Sequence, residues 1–306
     1  MSNVLLLDIG GTNIRYAYAN KNSSEIFDSN KENLDTLKGF DNLLNELLKN
    51  GSIKSMVVSV AGPMINGSIS MTNRDFKINA DDLKKEHNLD NCFLLNDWES
   101  IGYSLSSTKP EDINFIKKGK PFNKNSLFIG PGTGLGGALV IDNDFVLPTE
   151  IGNTTMLTER FLKNFSIKDD SSYVTLEDVL SGTAISSIYK TISGKDISAE
   201  EVVKLFEAHD PIAIQVIDGF TITLAEAISD LALIFISGNG IYLAGGLIRS
   251  LSKIINTDLF IKTFISNKKS IHKSMLNDMP IGVVNREHTC LHGNLNFFNL
   301  RNNKLS

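Results

Sequence analysis

Apolar positions along the chain fall into two rhythms. Val4 to Leu7 is a short unbroken apolar run of the buried-strand type, Asp8 to Asn13 is a glycine-rich turn, and Ile14 to Ala19 alternates as a returning strand. A hairpin is predicted there. Leu34, Leu37, Phe40, Leu43, Leu44 and Leu47 then recur at helical spacing, and Lys54 to Val60 reads as a buried strand closed by Ala61-Gly62-Pro63. Leu83 to His87 reads as helix, Cys92 to Leu95 as a short strand, and Trp98 to Leu105 as a helix that starts directly after Asn96-Asp97. The polar run Ser106 to Asn114, with Pro110 inside it, is the expected crossing between two lobes.

The second half repeats the opening device. Ser126 to Ile129 is a predicted strand, Gly130 to Gly137 a glycine-rich turn, and Ala138 to Ile141 a second strand. Set beside Leu5-Leu6-Leu7-Asp8-Ile9-Gly10-Gly11-Thr12, the run Leu127-Phe128-Ile129-Gly130-Pro131-Gly132-Thr133-Gly134 suggests two related lobes, each presenting a loop of backbone amides. Further on, Pro211 to Ile236 carries a long helical pattern, Ile241 to Ala244 a short strand, and Gly245-Gly246 a break before another helix. Alternation of strands and helices predicts an α/β protein.

Bulk properties narrow the partners. The chain has 306 residues, enough for two lobes with separate cores, and its 42% hydrophobic and 21% charged content is that of an ordinary globular protein. A net charge of -5 argues against a nucleic-acid partner, and the basic pairs Lys84-Lys85, Lys117-Lys118 and Lys268-Lys269 read as solvated faces. Cys92 and Cys290 stand far apart, so neither a disulfide framework nor a cysteine zinc site is expected, which suits a reducing, cytoplasmic setting. The apolar run Val4 to Leu7 is too short for a signal-peptide core, and the stretch Leu231 to Leu247 is broken by Ser237-Gly238-Asn239-Gly240, so no membrane span is expected.

Chemistry concentrates at a few points. Asp8-Ile9-Gly10-Gly11-Thr12-Asn13 joins a carboxylate to two glycines and a hydroxyl, a pattern that lets backbone amides approach phosphate oxygens while Asp8 holds Mg²⁺ through water; an ordinary hairpin turn is the plainer alternative. Gly132-Thr133-Gly134-Leu135-Gly136-Gly137 matches the spacing of a dinucleotide fingerprint, but a strand follows it where that fingerprint needs a helix. It reads instead as a phosphate turn within a hairpin, with a tight strand connection as the bland alternative. Asp97, after an apolar strand and before a helix, suits the general base that accepts a proton from a sugar hydroxyl, although Asn96 or Asp97 can equally cap the helix. Glu150 and Glu177 offer carboxylates for paired sugar hydroxyls, while Thr175 to Asp178 also has the outline of a capping box. His87, His209, His272, His288 and His292 are read as structural, since His288 with His292 lacks the intervening Glu of a zinc helix.

Taken in order, these pieces resemble the bacterial glucokinase family of the sugar kinase, Hsp70 and actin superfamily. The likeness rests on Asp8-Ile-Gly-Gly-Thr-Asn13, Ala61-Gly-Pro63, Met71-Thr72-Asn73, Asn96-Asp97, Gly132-Thr-Gly-Leu-Gly136, Leu147-Pro148-x-Glu150, Val179-Leu-Ser-Gly182 and Ala244-Gly-Gly246, collinear from residue 4 to about 293. The resemblance implies a two-lobed actin-like ATPase (ribonuclease H-like) fold with a cleft between lobes: residues 1–109 plus 294–306 as a small α/β lobe and 110–293 as a large one. It implies phosphoryl transfer from ATP, with Mg²⁺, to the 6-hydroxyl of glucose, with Asp97 as base and Asn73, Asn96, Glu150, Asn153 and Glu177 at the sugar. Asp8, Gly10, Gly11, Thr12, Asn13, Gly132, Thr133 and Gly134 would meet the phosphates, Gly245 and Gly246 the adenosine, and a homodimer is the suggested assembly.

Two departures stand out. Glu150-Ile151-Gly152-Asn153 replaces the family's Glu-Gly-Gly-His, and Thr183-Ala184 replaces Pro-Gly after Val179-Leu-Ser-Gly182. Both are expected to bear on sugar identity more than on phosphoryl transfer, which leaves a kinase for another hexose or amino sugar as an alternative. A non-catalytic sugar sensor is the other, because the ROK branch includes transcription factors. Those carry an N-terminal helix-turn-helix and a cysteine-rich zinc motif, neither of which is seen in this sequence.

Overall fold

The computed structural model describes residues 3–11, 13–33, 36–49, 51–71, 77–155, 158–168 and 171–303. The chain forms two compact units: residues 1–109, 144–148 and 286–306 make the first, and residues 110–143 and 149–285 the second.

In the first unit, strands β1 (Asn3–Ile9), β2 (Asn13–Asn20), β3 (Ile26–Asn33), β4 (Ile53–Val60) and β5 (Asn91–Asn96) form one sheet in the order β3-β2-β1-β4-β5. β1 and β2 are the predicted hairpin, with Ile9 opposite Ile14, and β4 and β5 run parallel to β1. Asp8 belongs to β1 and Asn13 to β2, so the turn is tighter than the sequence pattern suggests. β4 is buried along nearly its whole length, as its continuous apolar run requires. β3 escapes the pattern because it is an edge strand exposed at every position after Ile26. A small sheet of Met64–Ile65, Ser68–Ser70 and Lys77–Asn79 escapes it too, each strand being only two or three residues long.

The C-terminal helix, Thr289–Asn303, returns to this unit and is fastened by polar groups. Asn294, fully buried, donates to the Leu7 carbonyl (2.8 Å) and the Ser59 hydroxyl (3.2 Å) and accepts from Ser100 (2.8 Å). A Cβ on Gly293 would collide with the Ser100 carbonyl, so the helix lies directly on the backbone that follows Asp97.

The second unit carries β6 (Ile113–Lys117), β7 (Ser126–Pro131), β8 (Leu135–Ile141), β9 (Gly240–Leu243) and β10 (Ile281–Val284). They lie side by side in the order β8-β7-β9-β10-β6. β7 and β8 are again an antiparallel hairpin whose first strand pairs in parallel with a later one, the device already seen for β1, β2 and β4. Gly130, Gly136 and Gly137 are strand residues here, and the turn shrinks to residues 132–134. Gly137 must be glycine, because a Cβ would sit 2.9 Å from the Phe128 carbonyl.

Helices cover this sheet with one apolar cluster that includes Phe165, Tyr189, Phe220, Leu224, Phe260 and Phe264. Its backbone is the helix Pro211–Phe235, capped by Asp210, whose side chain accepts from the amides of Ile212 and Ala213, and ended by Ile236 in the left-handed region. At 25 residues it is long and apolar enough to cross a membrane, a feature hidden from a reading that began at Leu231. Two-thirds of its most apolar window is buried within the protein, which makes it a core helix.

Two basic pairs differ from their solvated reading. Lys117 is buried, its Nζ donating to the carbonyls of Asn277, Lys118 and Met279, and Lys268 pairs with Asp230 at 2.7 Å. The network continues from Asp230 to Arg160 and Glu226.

Glu99 carries an electrostatic cost of burial in the first unit. It is 8% accessible, and burial pushes its carboxyl up to about 7 from an ordinary 4.5, opposed only by a hydrogen bond from the Asn96 amide and by the Arg301 charge. The fold therefore prefers protonated Glu99. That contribution to stability is complete below pH 4.5 and is lost as pH rises through about 7. Glu99→Gln is expected to stabilise the protein at pH 8, by up to about 3 kcal/mol, and to have little effect at pH 4.5. Urea denaturation at the two pH values tests this, and equal effects at both would refute it.

Candidate active site

In the first unit the carboxyl ends of β1 and β5 carry Asp8 and Asn96-Asp97. Asp8 stands directly across the hairpin from Arg15, and the two side chains pair at 3.2 Å. Ser59 approaches the other carboxylate oxygen at 3.4 Å. Burial raises Asp8 above the usual carboxylate range; Arg15 and hydrogen bonds from Cys290 and Ser59 pull it back. The Gly10 amide closes the turn by donating to the Asn13 carbonyl at 2.9 Å, so it is spent on the hairpin, whereas Gly11 is exposed at the tip. Thr12 and Asn73 lie outside the described residues.

Asn96 is the N-cap of the helix Asp97–Tyr103: its Oδ1 accepts from the amides of Trp98 (2.8 Å) and Glu99 (3.3 Å), and its Nδ2 donates to the Gly62 carbonyl (2.9 Å). One amide hydrogen of Asn96 is left for a ligand. With Asn96 holding the cap, Asp97 is half-buried at the first helical position, its Oδ1 accepting from the Trp98 amide at 3.0 Å. Cys290 lies between the two acids. Its Sγ approaches the Asp97 carbonyl at 3.9 Å, and burial together with the Asp8 and Asp97 charges drives its thiol well above the ordinary range.

In the second unit the turn Gly132-Thr133-Gly134 closes through the Gly132 amide, which donates to the Gly134 carbonyl at 2.7 Å. Three elements fix it from outside. The Gly182 amide, at the start of the helix Gly182–Ser193, donates to the Gly132 carbonyl at 2.7 Å; Thr183 Oγ1 donates to the Thr133 carbonyl at 2.8 Å; and Glu177 accepts from the Leu135 amide at 3.2 Å. The capping box at Thr175 is completed by Asp178, which leaves the Glu177 carboxylate turned toward Leu135. That carboxylate packs so closely that a Cβ on Gly134 would lie 2.5 Å from it and one on Gly152 3.2 Å. The backbone between Glu150 and Asn153 therefore runs against Glu177. Glu150 and Asn153 are themselves exposed, joined by a bond from the Asn153 amide to the Glu150 carbonyl at 3.1 Å.

Thr183, in one of the two departures from the family pattern, has a structural part of its own. Its hydroxyl, which proline lacks, ties the helix start to the glycine turn at the Thr133 carbonyl.

A cavity of about 810 Å³ opens beside this turn, bounded by Gly132, Thr133, Thr183 and Gly246 and walled further out by Leu247, Ile254 and Val203. Lys204 and Lys253 line it together with Glu200 and Glu207, so its charged groups balance. Sequence spacing gave no signal for these two lysines, since they sit on separate helices or turns. Gly245 requires glycine, its φ of 116° being closed to other residues. Arg15, by contrast, was readable: a two-residue hairpin register places it opposite Asp8. Among the described residues no cluster of three or more metal-ligating side chains occurs.

The glucokinase family model matches residues 5–300. The chain belongs to the glucokinase family. A glucokinase of Sinorhizobium fredii is 26% identical over 312 residues, spanning 95% of this chain and 90% of that protein. The crystal structure of a glucokinase from an Antarctic psychrotroph superposes with a TM-score of 0.80 at 22% identity, covering 99% of both chains. A ROK family glucokinase from Streptomyces griseus, solved with glucose and AMPPNP, gives 0.64 at 14% identity over 96% of this chain and 98% of that one. The fold is thus the two-lobed actin-like ATPase fold, and both glycine turns belong to it.

The contact at Gly182 yields a sign test. Gly→Ala in a helix ordinarily stabilises by about 0.5–1 kcal/mol. At Gly182 a Cβ would lie 2.9 Å from the Gly132 carbonyl and 3.4 Å from Leu247, so Gly182→Ala is expected to destabilise by about 1–3 kcal/mol. Chemical denaturation giving a neutral or stabilised variant would refute the packing argument.

Proposed function

We propose that this protein transfers the γ-phosphate of ATP to the 6-hydroxyl of glucose. The observation that carries the reading is Glu177. One carboxylate, of the kind that binds paired sugar hydroxyls, is held by the Leu135 amide and pressed against Gly134 of the glycine turn and Gly152 of the Glu150 loop. A sugar-binding acid and a phosphate-binding turn are thereby one rigid assembly. Family membership supports the same reaction, as does the glucose and AMPPNP bound by the Streptomyces griseus relative.

The phosphates meet a positive environment made of backbone. The helix Gly182–Ser193 points its amino end at the turn, with Thr133 exposed beside it, which favours anions through the helix dipole. Gly245 and Gly246 let adenosine approach the backbone, and Leu247, Val203 and Ile254 suit the apolar faces of a base. On the first unit, Gly10, Gly11, Thr12 and Asn13 are assigned to the phosphate chain, with Gly10 acting through the shape of its turn. Asp97 takes the proton of the sugar hydroxyl, and Asn96, with Asn73, Glu150 and Asn153, contributes to holding the sugar.

Asp8 suits Mg²⁺. It is a single buried carboxylate beside the first turn, and Mg²⁺ usually keeps its waters and takes one or two protein carboxylates together with substrate phosphates. Bound there, the ion would neutralise charge on the transferring phosphate. Arg15 compensates Asp8 in the meantime.

A coupled ADP-release assay across glucose, mannose, 2-deoxyglucose and N-acetylglucosamine tests the reading: glucose should give the highest kcat/KM. Another sugar outcompeting it would move the assignment to that substrate, and no sugar-dependent ADP release would overturn it. Asp97→Asn is expected to lower kcat by about 10²–10⁴-fold with sugar binding kept, since the amide preserves shape but takes no proton. A kcat within threefold or so of wild type would remove Asp97 as base. Asn153→His, which restores the longer family side chain, is expected to lower the glucose KM by roughly threefold to tenfold, the worth of one neutral hydrogen bond, with kcat little changed.

A further inference from the structure

The first unit holds a cavity of about 400 Å³ whose lining, Met64, Phe93, Leu95, Glu99, Phe297 and Arg301 among it, includes no glycine-turn residue. Its walls are apolar and fixed: Leu95 is 1% and Phe297 5% accessible, and the Phe297 ring is met edge-on by Phe93 at 5.4 Å and Tyr103 at 5.1 Å. Its polar groups are Glu99 and Arg301, close enough for the guanidinium charge to act on the Glu99 carboxyl. Glu99 is buried, and while the Asn96 amide bonds its carboxyl as part of the helix cap, Oε2 has no partner at all. Arg301 is exposed, stacks its guanidinium 5.2 Å from the Phe297 centroid, and makes no ion pair among the described residues. Met64, 41% accessible, is the other exposed residue of the lining.

The orphan buried Glu99 oxygen calls for a partner, and a cationic donor placed there would draw the carboxyl, otherwise pushed toward its protonated form by burial, into its charged form. An apolar guest would leave it unpaired. A plain amine would satisfy it but bring a second positive charge toward Arg301. We propose that this cavity binds a small hydrophobic α-amino acid as the free zwitterion, with its ammonium donating to Glu99 Oε2, its side chain against Phe93, Leu95 and Phe297, and its carboxylate facing Arg301. The volume is that of a small-molecule site. Because Glu99 follows Asp97 by two residues in the same helix, the ligand would engage the element that positions Asp97.

Isothermal titration with L-leucine and L-phenylalanine tests this in the absence of ATP and sugar, so its outcome is independent of the kinase reading. One molecule should bind per chain with a Kd at or below about 1 mM. Leucinamide, which lacks the carboxylate, and N-acetyl-leucine, which lacks the ammonium, should each bind at least about tenfold more weakly, as should leucine to Glu99→Gln and to Arg301→Gln. Gln can still complete the cap with Asn96, so Glu99→Gln is expected to fold, and Arg301→Gln alters an exposed side chain if it does not. No binding by either amino acid up to about 20 mM would overturn the proposal. So would affinities unchanged in the two variants, or leucinamide binding as tightly as leucine.

Discussion

At two places in this protein one backbone approaches another more closely than a side chain would permit, and the placement of its candidate site residues depends on that. Gly182 brings the start of a helix onto the carbonyl of Gly132, and Gly293 brings the C-terminal helix onto the carbonyl of Ser100. In the first case the result is a glycine turn whose outer face is bonded by an amide, a threonine hydroxyl and, one residue on, a glutamate. In the second, residues almost two hundred positions apart in sequence are locked together, so the segment carrying Asp97 is braced by the last helix of the chain through Ser100 and Asn294. A turn alone would be a flexible donor of amides; a turn packed without a gap against a helix end holds them in one geometry, which is what the proposed phosphate site would require.

The same economy explains which amides do what. In both hairpins the first glycine of the turn spends its N–H on closing the turn, Gly10 to Asn13 and Gly132 to Gly134. Glycine content therefore overstates the number of amides that can meet a ligand. What the first glycine contributes is the tightness of the turn, and the tip residues, Gly11 and Thr133, are what it presents to solvent.

Most of the buried framework was legible, because buried strands and amphipathic helices write themselves as apolar runs. β1, β4, β5, β7 and the helix Pro211–Phe235 were all readable in that way. What was hidden is what burial does not select. β3 is an exposed edge and alternates nothing; Met64 to Asn79 folds as three strands too short to show a period. The glycine turns were drawn too wide because glycine was taken as a loop signal, whereas Gly130, Gly136 and Gly137 sit in extended strands where a neighbouring carbonyl excludes a side chain. At the site, Asp97 and Glu177 were legible from their settings, but not the division of labour beside them. Asn96 and Asp178 take the capping work that left both acids ambiguous in sequence.

That division has an electrostatic consequence. Asp8, Asp97 and Glu99 would be three carboxylates within one small region, and like charges so placed raise one another's cost of ionisation. The structure separates them by giving each a different partner: Arg15 across the hairpin for Asp8, the amide of the next residue for Asp97, and the cap amide of Asn96 with the distant charge of Arg301 for Glu99. Only the first of these is a full ion pair. Glu99 meets its burial by favouring the protonated form near neutrality, which keeps negative charge off the helix start just behind Asp97. Cys290, whose thiol is held neutral between Asp8 and Asp97, does the same from the other side. The groups around Asp97 are thus the ones arranged to stay neutral or paired.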